Sequence, residues 1–168
     1  MATFLLLAVF PLLMACAAAS DLLTMTIPNR LNIALAAAFA VVAAAGDLGG
    51  AEIASHLGAG ALVLSVAFGL FTVGAVGGGD AKLAAATALW LGFGSLLDYL
   101  LVASLVGGGL TLALLYLRAQ PLPAFAAAWP WALHLHDRRT GVPYGIALAA
   151  AALAVCPSAP LWRLALGT

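Results

Sequence analysis

The sequence predicts an all-α integral membrane protein, a bundle of about six transmembrane helices. Of its 168 residues, 65% are hydrophobic and only 7% are charged, and the mean hydropathy is +1.17. These values leave too few polar residues to cover the surface of a soluble domain. Because lipid offers no hydrogen-bond partners, a spanning backbone must form helices or a closed barrel, and the alanine- and leucine-rich runs favour helices. We therefore expect one transmembrane domain over 1–168 and no soluble domain.

Six apolar runs, bounded by glycine, proline or charged residues, predict the helices in order. Asp21 closes the first run, Pro28 stands in the turn before the second, and the glycines at 49–50 form the turn before the third. A glycine cluster over 74–79 leads into the fourth, the fifth follows directly, and Pro143 marks the start of the sixth. The predicted helices cover residues 2–20, 31–46, 57–76, 81–97, 99–117 and 142–160.

The longest connection, residues 118–141, differs from the other loops in composition. It contains three prolines, together with Trp129, Trp131 and several basic residues. Its middle, 125–135, is too short to span a bilayer but apolar enough to lie in the interface, with the tryptophans at headgroup depth. We expect a surface-lying or re-entrant segment that either gates a substrate or shields the bundle.

The distribution of basic residues predicts the orientation of the bundle. Lysine and arginine in short loops are retained on the cytoplasmic side. With six spans, only Arg163 falls on the opposite face, whereas five basic residues fall on one face: Arg30, Lys82, Arg118, Arg138 and Arg139. The same topology places Asp21 and Asp80 on the cytoplasmic face, although the count used neither of them.

Charge and cysteine content exclude several classes of partner. The formal net charge is zero and no run of like charges occurs, so we expect no nucleic acid partner. Cys16 and Cys156 stand alone in apolar runs, without further ligands at metal-binding spacing, and are interpreted as small buried hydrophobes. His134 and His136 point to opposite sides of a helix. We therefore expect no metal ion and no cofactor.

Two acids at the ends of apolar runs are the candidate functional residues. An ionisable carboxylate near lipid costs free energy and needs a compensating role. Asp80 follows Gly77-Gly78-Gly79, whose backbone another chain can approach closely, although the acid could equally be a simple helix cap. Asp21 could likewise be a solvated helix end. Pro28 gives the loop after Asp21 a rigid turn, Asn29 is predicted to cap the next helix, and Asn32 adds a second amide just inside it.

These residues, with Gly77-Gly78-Gly79-Asp80-Ala81-Lys82 and later Pro143-Tyr144-Gly145-Ile146, resemble the type IV prepilin leader peptidases. The small size is similar to the TadV/CpaA branch that serves Tad (Flp) pili. The resemblance implies an intramembrane aspartic endopeptidase of the GxGD type in the bacterial cytoplasmic membrane. Its substrate would be a prepilin or pseudopilin, whose short basic leader is removed at the cytoplasmic face. The chain lacks the cysteine-rich insertion of the larger, N-methylating relatives.

The resemblance also assigns roles to individual residues. Asp21 and Asp80 would be the catalytic pair, and Pro143 and Tyr144 could line the path of the substrate. Supporting motif residues would be Gly77, Gly79, Lys82, Pro28, Asn29 and Asn32. Lys82 lies about 200° around the helix from Asp80, so a simple interface anchor is an equal alternative. The chain departs from the family pattern at Thr24-Met25-Thr26, which lacks the basic residues often found there.

The chemistry of two adjacent carboxylates agrees with this assignment. Two such groups share one proton, so that one takes a proton from water while the other polarises the scissile carbonyl.

Two alternative functions remain. Membrane acids and glycine-rich breaks also occur in small proton-coupled transporters, and small-residue helix faces occur in non-enzymatic subunits of pilus assembly. The sequence leaves the oligomeric state open.

Overall fold

The computed structural model describes residues 2–46, 48–123 and 125–166, and every regular element in these ranges is helical. Single 3-10 turns, Ala126–Ala128 and Cys156–Ser158, precede α5 and follow α6. The α-helices are α1 (Ala2–Thr24), α2 (Asn29–Ala45), α3 (Gly50–Thr72), α4 (Gly78–Ala119), α5 (Pro130–His136), α6 (Tyr144–Val155) and α7 (Pro160–Leu166). The predicted all-α class is confirmed.

Three helices are long and apolar enough to cross a membrane, judged by length and composition. They are α1 over Leu7–Thr24, α3 and α4. The helices Asn29–Ala45 and Tyr144–Ser158 are apolar but shorter. At 1.5 Å per residue, the 17 residues of α2 extend about 26 Å, somewhat less than the roughly 30 Å of a hydrocarbon core. A bundle of six spans therefore stays a prediction.

The fourth and fifth predicted helices form one element that is broken at a different residue. The sequence predicts their boundary at Asp98, but Asp98 is helical and the break lies at Gly92, with φ 65° and ψ −179°. Ala84 before the break and Leu100 after it line the same groove. In a straight helix these two residues would stand about 24 Å apart. The chain therefore folds back on itself at Gly92.

The first segment of α4, residues 78–91, lies at the centre of the molecule. Trp90 is fully buried, packs against Phe10 of α1 at 5.0 Å between ring centroids, and donates its indole N–H to the Leu35 carbonyl of α2 at 2.9 Å. Gly60 of α3 allows a close approach, because a Cβ there would stand 3.2 Å from Leu89 Cβ. Small residues at such contacts are typical of helices that pack within a membrane.

Arg118, at the end of α4, organises the connection over 118–141. Its buried guanidinium donates to the carbonyls of Leu135 and Gly141, both at 2.8 Å, and to the Thr140 carbonyl at 3.2 Å. Trp129 and Trp131 stack at 5.7 Å between ring centroids. The part of the connection around residues 135–141 is thus held to the end of α4, and the place of the connection at the membrane surface stays a prediction.

Candidate active site

Asp21 lies in the last turn of α1, which continues to Thr24 and not only to the predicted residue 20. The residue is only 5% exposed. Its Oδ2 accepts a hydrogen bond from the backbone N–H of Gly145 at 2.7 Å, across 124 residues of sequence. Gly145 is the second residue of α6, where backbone N–H groups have no partner within the helix. The bond therefore fixes Asp21 against the start of α6.

Only glycine fits at position 145 while this contact is kept. A Cβ there would stand 2.8 Å from Asp21 Oδ2 and 2.8 Å from Ile27 Cδ1. Both distances are shorter than real Cβ contacts, so a side chain would displace the carboxylate, the isoleucine or α6. Sequence reasoning missed Gly145 as a site residue; its only signal was a glycine next to the Pro143-Tyr144 pair.

Asp80 lies in the first turn of α4 and is half-buried. The helix is capped by Gly77, with φ −69° and ψ 143°, so Asp80 itself is not the N-cap. A Cβ at Gly77 would stand 2.9 Å from Asp80 Oδ2, so the carboxylate lies directly over this glycine. Gly77 therefore leaves the space that the Asp80 carboxylate occupies.

Ile27 lies between the end of α1, which carries Asp21, and the start of α4, which carries Asp80. Its side chain is buried, and it fills the space beside Gly79, where a Cβ would stand 3.3 Å from Ile27 Cβ. The same side chain reaches the start of α6 at Gly145. The end of α1 and the starts of α4 and α6 thus meet around one residue. The two acids predicted to form one site lie at the same end of the molecule.

The loop between α1 and α2 has a defined conformation. Ser20 Oγ donates to the Thr26 carbonyl at 2.9 Å, and the hydroxyls of Thr24 and Thr26 are 2.8 Å apart. Met25 adopts a positive φ of 53°, which non-glycine residues rarely do. These contacts hold Ile27 between the two acidic ends.

Asn29 does not cap α2, contrary to the prediction. The N-cap is Pro28, and Asn29 is the first helical residue. Its Oδ1 instead accepts a hydrogen bond from Lys82 Nζ at 2.9 Å. A hydrogen bond to an ammonium group is stronger than one between neutral partners, which explains why the Asn29 amide binds Lys82 and not the backbone of its own helix. Lys82 therefore links the starts of α2 and α4.

Asn32 lies one turn further along α2. It is 9% exposed, and neither its side-chain oxygen nor its nitrogen has a hydrogen-bond partner among the described residues. Asn29, Asn32 and Lys82 line a groove between α2, α3 and α4 of about 540 Å³. Asp80 does not line this groove, in agreement with the opposite helix faces expected for Asp80 and Lys82.

Asp80 lies instead in a second, apolar groove of about 300 Å³. Tyr144 lines this groove, whereas Pro143 is fully buried. Asp80 is the one ionisable acid among the described lining residues, and the walls are hydrophobic side chains of α3, both segments of α4, and α6. Asp80 therefore borders a groove whose surface is almost entirely apolar.

The described residues contain no group of three or more His, Cys, Asp or Glu side chains that could hold a metal ion.

A family model described as the type IV leader peptidase family matches residues 8–112, more than half of the chain. The matched range includes Asp21, the loop around Ile27 and the glycines before Asp80, and it ends before Tyr144 and Gly145. The comparisons with curated proteins and with solved structures gave no match.

Proposed function

Because the chain belongs to the type IV leader peptidase family, we propose that it is an aspartic endopeptidase with Asp21 and Asp80 as its catalytic pair. The observation that carries this proposal is the meeting of the two acids at one end of the molecule, around Ile27 and Gly145. The substrate is a prepilin or pseudopilin of the Tad (Flp) type, cleaved after its short basic leader at the cytoplasmic face of the bacterial inner membrane.

The proposed reaction is hydrolysis by a water held between the two carboxylates. One carboxylate takes a proton from the water, and the other, protonated, donates a hydrogen bond to the scissile carbonyl. The Gly145 N–H donates to Oδ2 of Asp21 and so fixes the orientation of this carboxylate. Neither a covalent intermediate nor a cofactor is required.

The apolar groove beside Asp80 supports a substrate with a hydrophobic segment next to its scissile bond. Its volume of about 300 Å³ corresponds to a few apolar side chains. A peptide whose hydrophobic segment lies along α3 and α6 brings its adjacent peptide bond to Asp80. Tyr144 borders this path.

The position of the acids favours hydrolysis over proton-coupled transport. A transporter site is expected near the middle of the bilayer, whereas Asp21 and Asp80 occupy helix ends. A non-enzymatic assembly subunit would need neither carboxylate.

The test is cleavage of a Tad-type prepilin by the purified protein in lipid. We expect Asp21→Asn and Asp80→Asn each to lower kcat by roughly 100- to 10,000-fold, the usual contribution of a general acid or base. The matched control is Asp98→Asn, which removes an exposed acid from the same helix as Asp80 and should cleave normally. Wild-type cleavage by both site variants would overturn the proposal, and flux of protons without cleavage would support transport.

A further inference from the structure

The break in α4 interrupts the backbone hydrogen bonds that would span Gly92 in a continuous helix, among them the bond between Leu89 and Phe93. In an α-helix the N–H of Phe93 would donate to the carbonyl of Leu89, four residues earlier. The conformation of Gly92 prevents this bond. A buried backbone group that loses its partner costs free energy unless another donor or acceptor replaces it.

Two adjacent residues of α3 supply partners for the Leu89 carbonyl and the Phe93 N–H. His56 Nδ1 lies 2.9 Å from the Leu89 carbonyl oxygen, and the Phe93 N–H donates to Ser55 Oγ at 3.4 Å. Since a carbonyl can only accept, His56 Nδ1 carries the proton. The imidazole thus replaces the lost helical donor at Leu89, and the serine replaces the lost acceptor for Phe93.

The imidazole also occupies the space that the break leaves open. Its ring atoms lie 3.1–3.3 Å from the position of a Cβ on Gly92. The side chain is 3% exposed, and the Phe39 ring packs against it at 5.4 Å between centroids. Burying an ionisable side chain here costs free energy that burying a leucine would not. The hydrogen bond to the Leu89 carbonyl is an interaction that a leucine could not make, and it offsets this cost.

The segment after the break reaches the candidate active site. Leu100 lines the groove that contains Asp80. Further along, the Tyr144 ring lies against Gly107, where a Cβ would overlap it. Tyr144 is adjacent to Gly145, whose N–H binds Asp21. A continuous series of contacts therefore connects the break with both acids.

We propose that His56 is a positioning residue for the catalytic pair. Its hydrogen bond to the Leu89 carbonyl holds α4 folded at Gly92. The folded α4 in turn shapes the groove that Asp80 lines and positions the Tyr144 ring. The effect of His56 on cleavage rests on the proposed function, whereas its effect on the shape of α4 does not.

The first experiment uses electron paramagnetic resonance to measure the distance from the end of α3, just before α4, to the segment of α4 after the break. Spin labels are attached to Val73→Cys and Leu105→Cys, which are 75% and 69% exposed, after Cys16→Ser and Cys156→Ala remove the native thiols. We expect a single narrow distance distribution in the parent. His56→Leu, which has no donor, should broaden or lengthen it, and His56→Asn, whose amide can replace Nδ1, should restore it.

The second experiment measures prepilin cleavage by the same variants. His56→Leu should lower kcat by roughly 100-fold with KM little changed, the effect of a small misplacement of reacting groups. His56→Asn should recover most of this loss. If His56→Leu does not fold, Ser55→Ala removes only the acceptor for Phe93 and should give a smaller change in the same direction.

The outcomes separate the two proposals. An unchanged distance distribution in a folded His56→Leu variant, or a changed one with normal kcat, overturns the positioning role. Failure of His56→Asn to restore both properties also overturns it, because packing alone would then explain the histidine. If the parent cleaves no prepilin, the proposed function fails, and the distance measurements still decide whether His56 holds the break.

Discussion

At the scale of single residues, the contacts around Asp21 are the most specific feature of the molecule. The sequence predicted the two acids as candidate catalytic residues, because charged residues at the ends of apolar runs are conspicuous. It could not identify the Gly145 N–H as the partner of Asp21, since this bond joins residues 124 positions apart. It also predicted that Asn29 caps α2. This prediction was wrong because the partner of the Asn29 amide is Lys82, which lies in another helix and is not part of the local sequence pattern.

The fit of Gly145 against Asp21 leads to a direct prediction. Gly145→Ala places a Cβ 2.8 Å from the Asp21 carboxylate and from Ile27, so we expect kcat for prepilin cleavage to fall roughly 100-fold through misplacement of the acid. Gly141→Ala is the matched control, because its Cβ would meet nothing within 4 Å. Equal cleavage by the two variants would show that the Asp21–Gly145 contact does not position the site.

At the scale of helices, hydropathy located the apolar runs but missed their ends. α3 begins at Gly50, before the predicted residue 57, because Glu52 binds the Gly49 N–H at 3.2 Å and His56 is buried against α4. Polar residues that find partners can extend a helix beyond its apolar run. The break at Gly92 depends on α3 in the same way. A single glycine does not predict a break in a helix. The charged residue Asp98 was the more conspicuous boundary signal, and it gave the wrong position for the break.

The break itself predicts a difference between two neighbouring glycines. Gly92→Ala forces a side chain into a positive φ and against the His56 ring, which we expect to lower the free energy of unfolding by about 1–3 kcal/mol. Gly94→Ala adds a Cβ at ordinary contact distance, 3.8 Å from Pro160, and should be neutral or stabilising. Thermal unfolding in detergent measures both. A Gly92→Ala variant as stable as Gly94→Ala would contradict the fold-back of α4.

The contact between α4 and α6 predicts a second pair. Gly107→Ala introduces a Cβ where the Tyr144 ring lies, so α6 must shift and prepilin cleavage should fall together with thermal stability. Gly108→Ala meets nothing within 4 Å and should raise helix stability by up to about 1 kcal/mol. If both variants have the same thermal stability and the same rate of prepilin cleavage, the Tyr144 ring does not pack against Gly107.

At the scale of the whole molecule, composition was sufficient to predict an apolar, all-helical protein. The number of spans was harder to predict, because a short apolar helix can cross the bilayer or be buried among longer ones, and hydropathy is the same in both cases. α2 and α6 are such helices. The connection over 118–141 is held by the buried Arg118, a set of contacts that composition does not reveal.

The proposed orientation predicts which side of the membrane each end of α6 faces. A cysteine at Arg139→Cys, before α6, should react with an impermeant maleimide only from the cytoplasmic side. A cysteine at Ser158→Cys, after it, should react only from the opposite side. Both positions are exposed, and both variants carry Cys16→Ser and Cys156→Ala. Labelling of the two cysteines from the same side would exclude a membrane crossing by this helix.

The central claim is that Asp21 and Asp80 together hold one hydrolytic water, and an experimental structure of the protein in lipid tests it most directly. We predict one ordered water within about 2.6–3.2 Å of a carboxylate oxygen of each residue, with the Gly145 N–H still bound to Asp21. Carboxylates that open to opposite sides of the molecule, or stand too far apart for any single water to reach both, would contradict the claim.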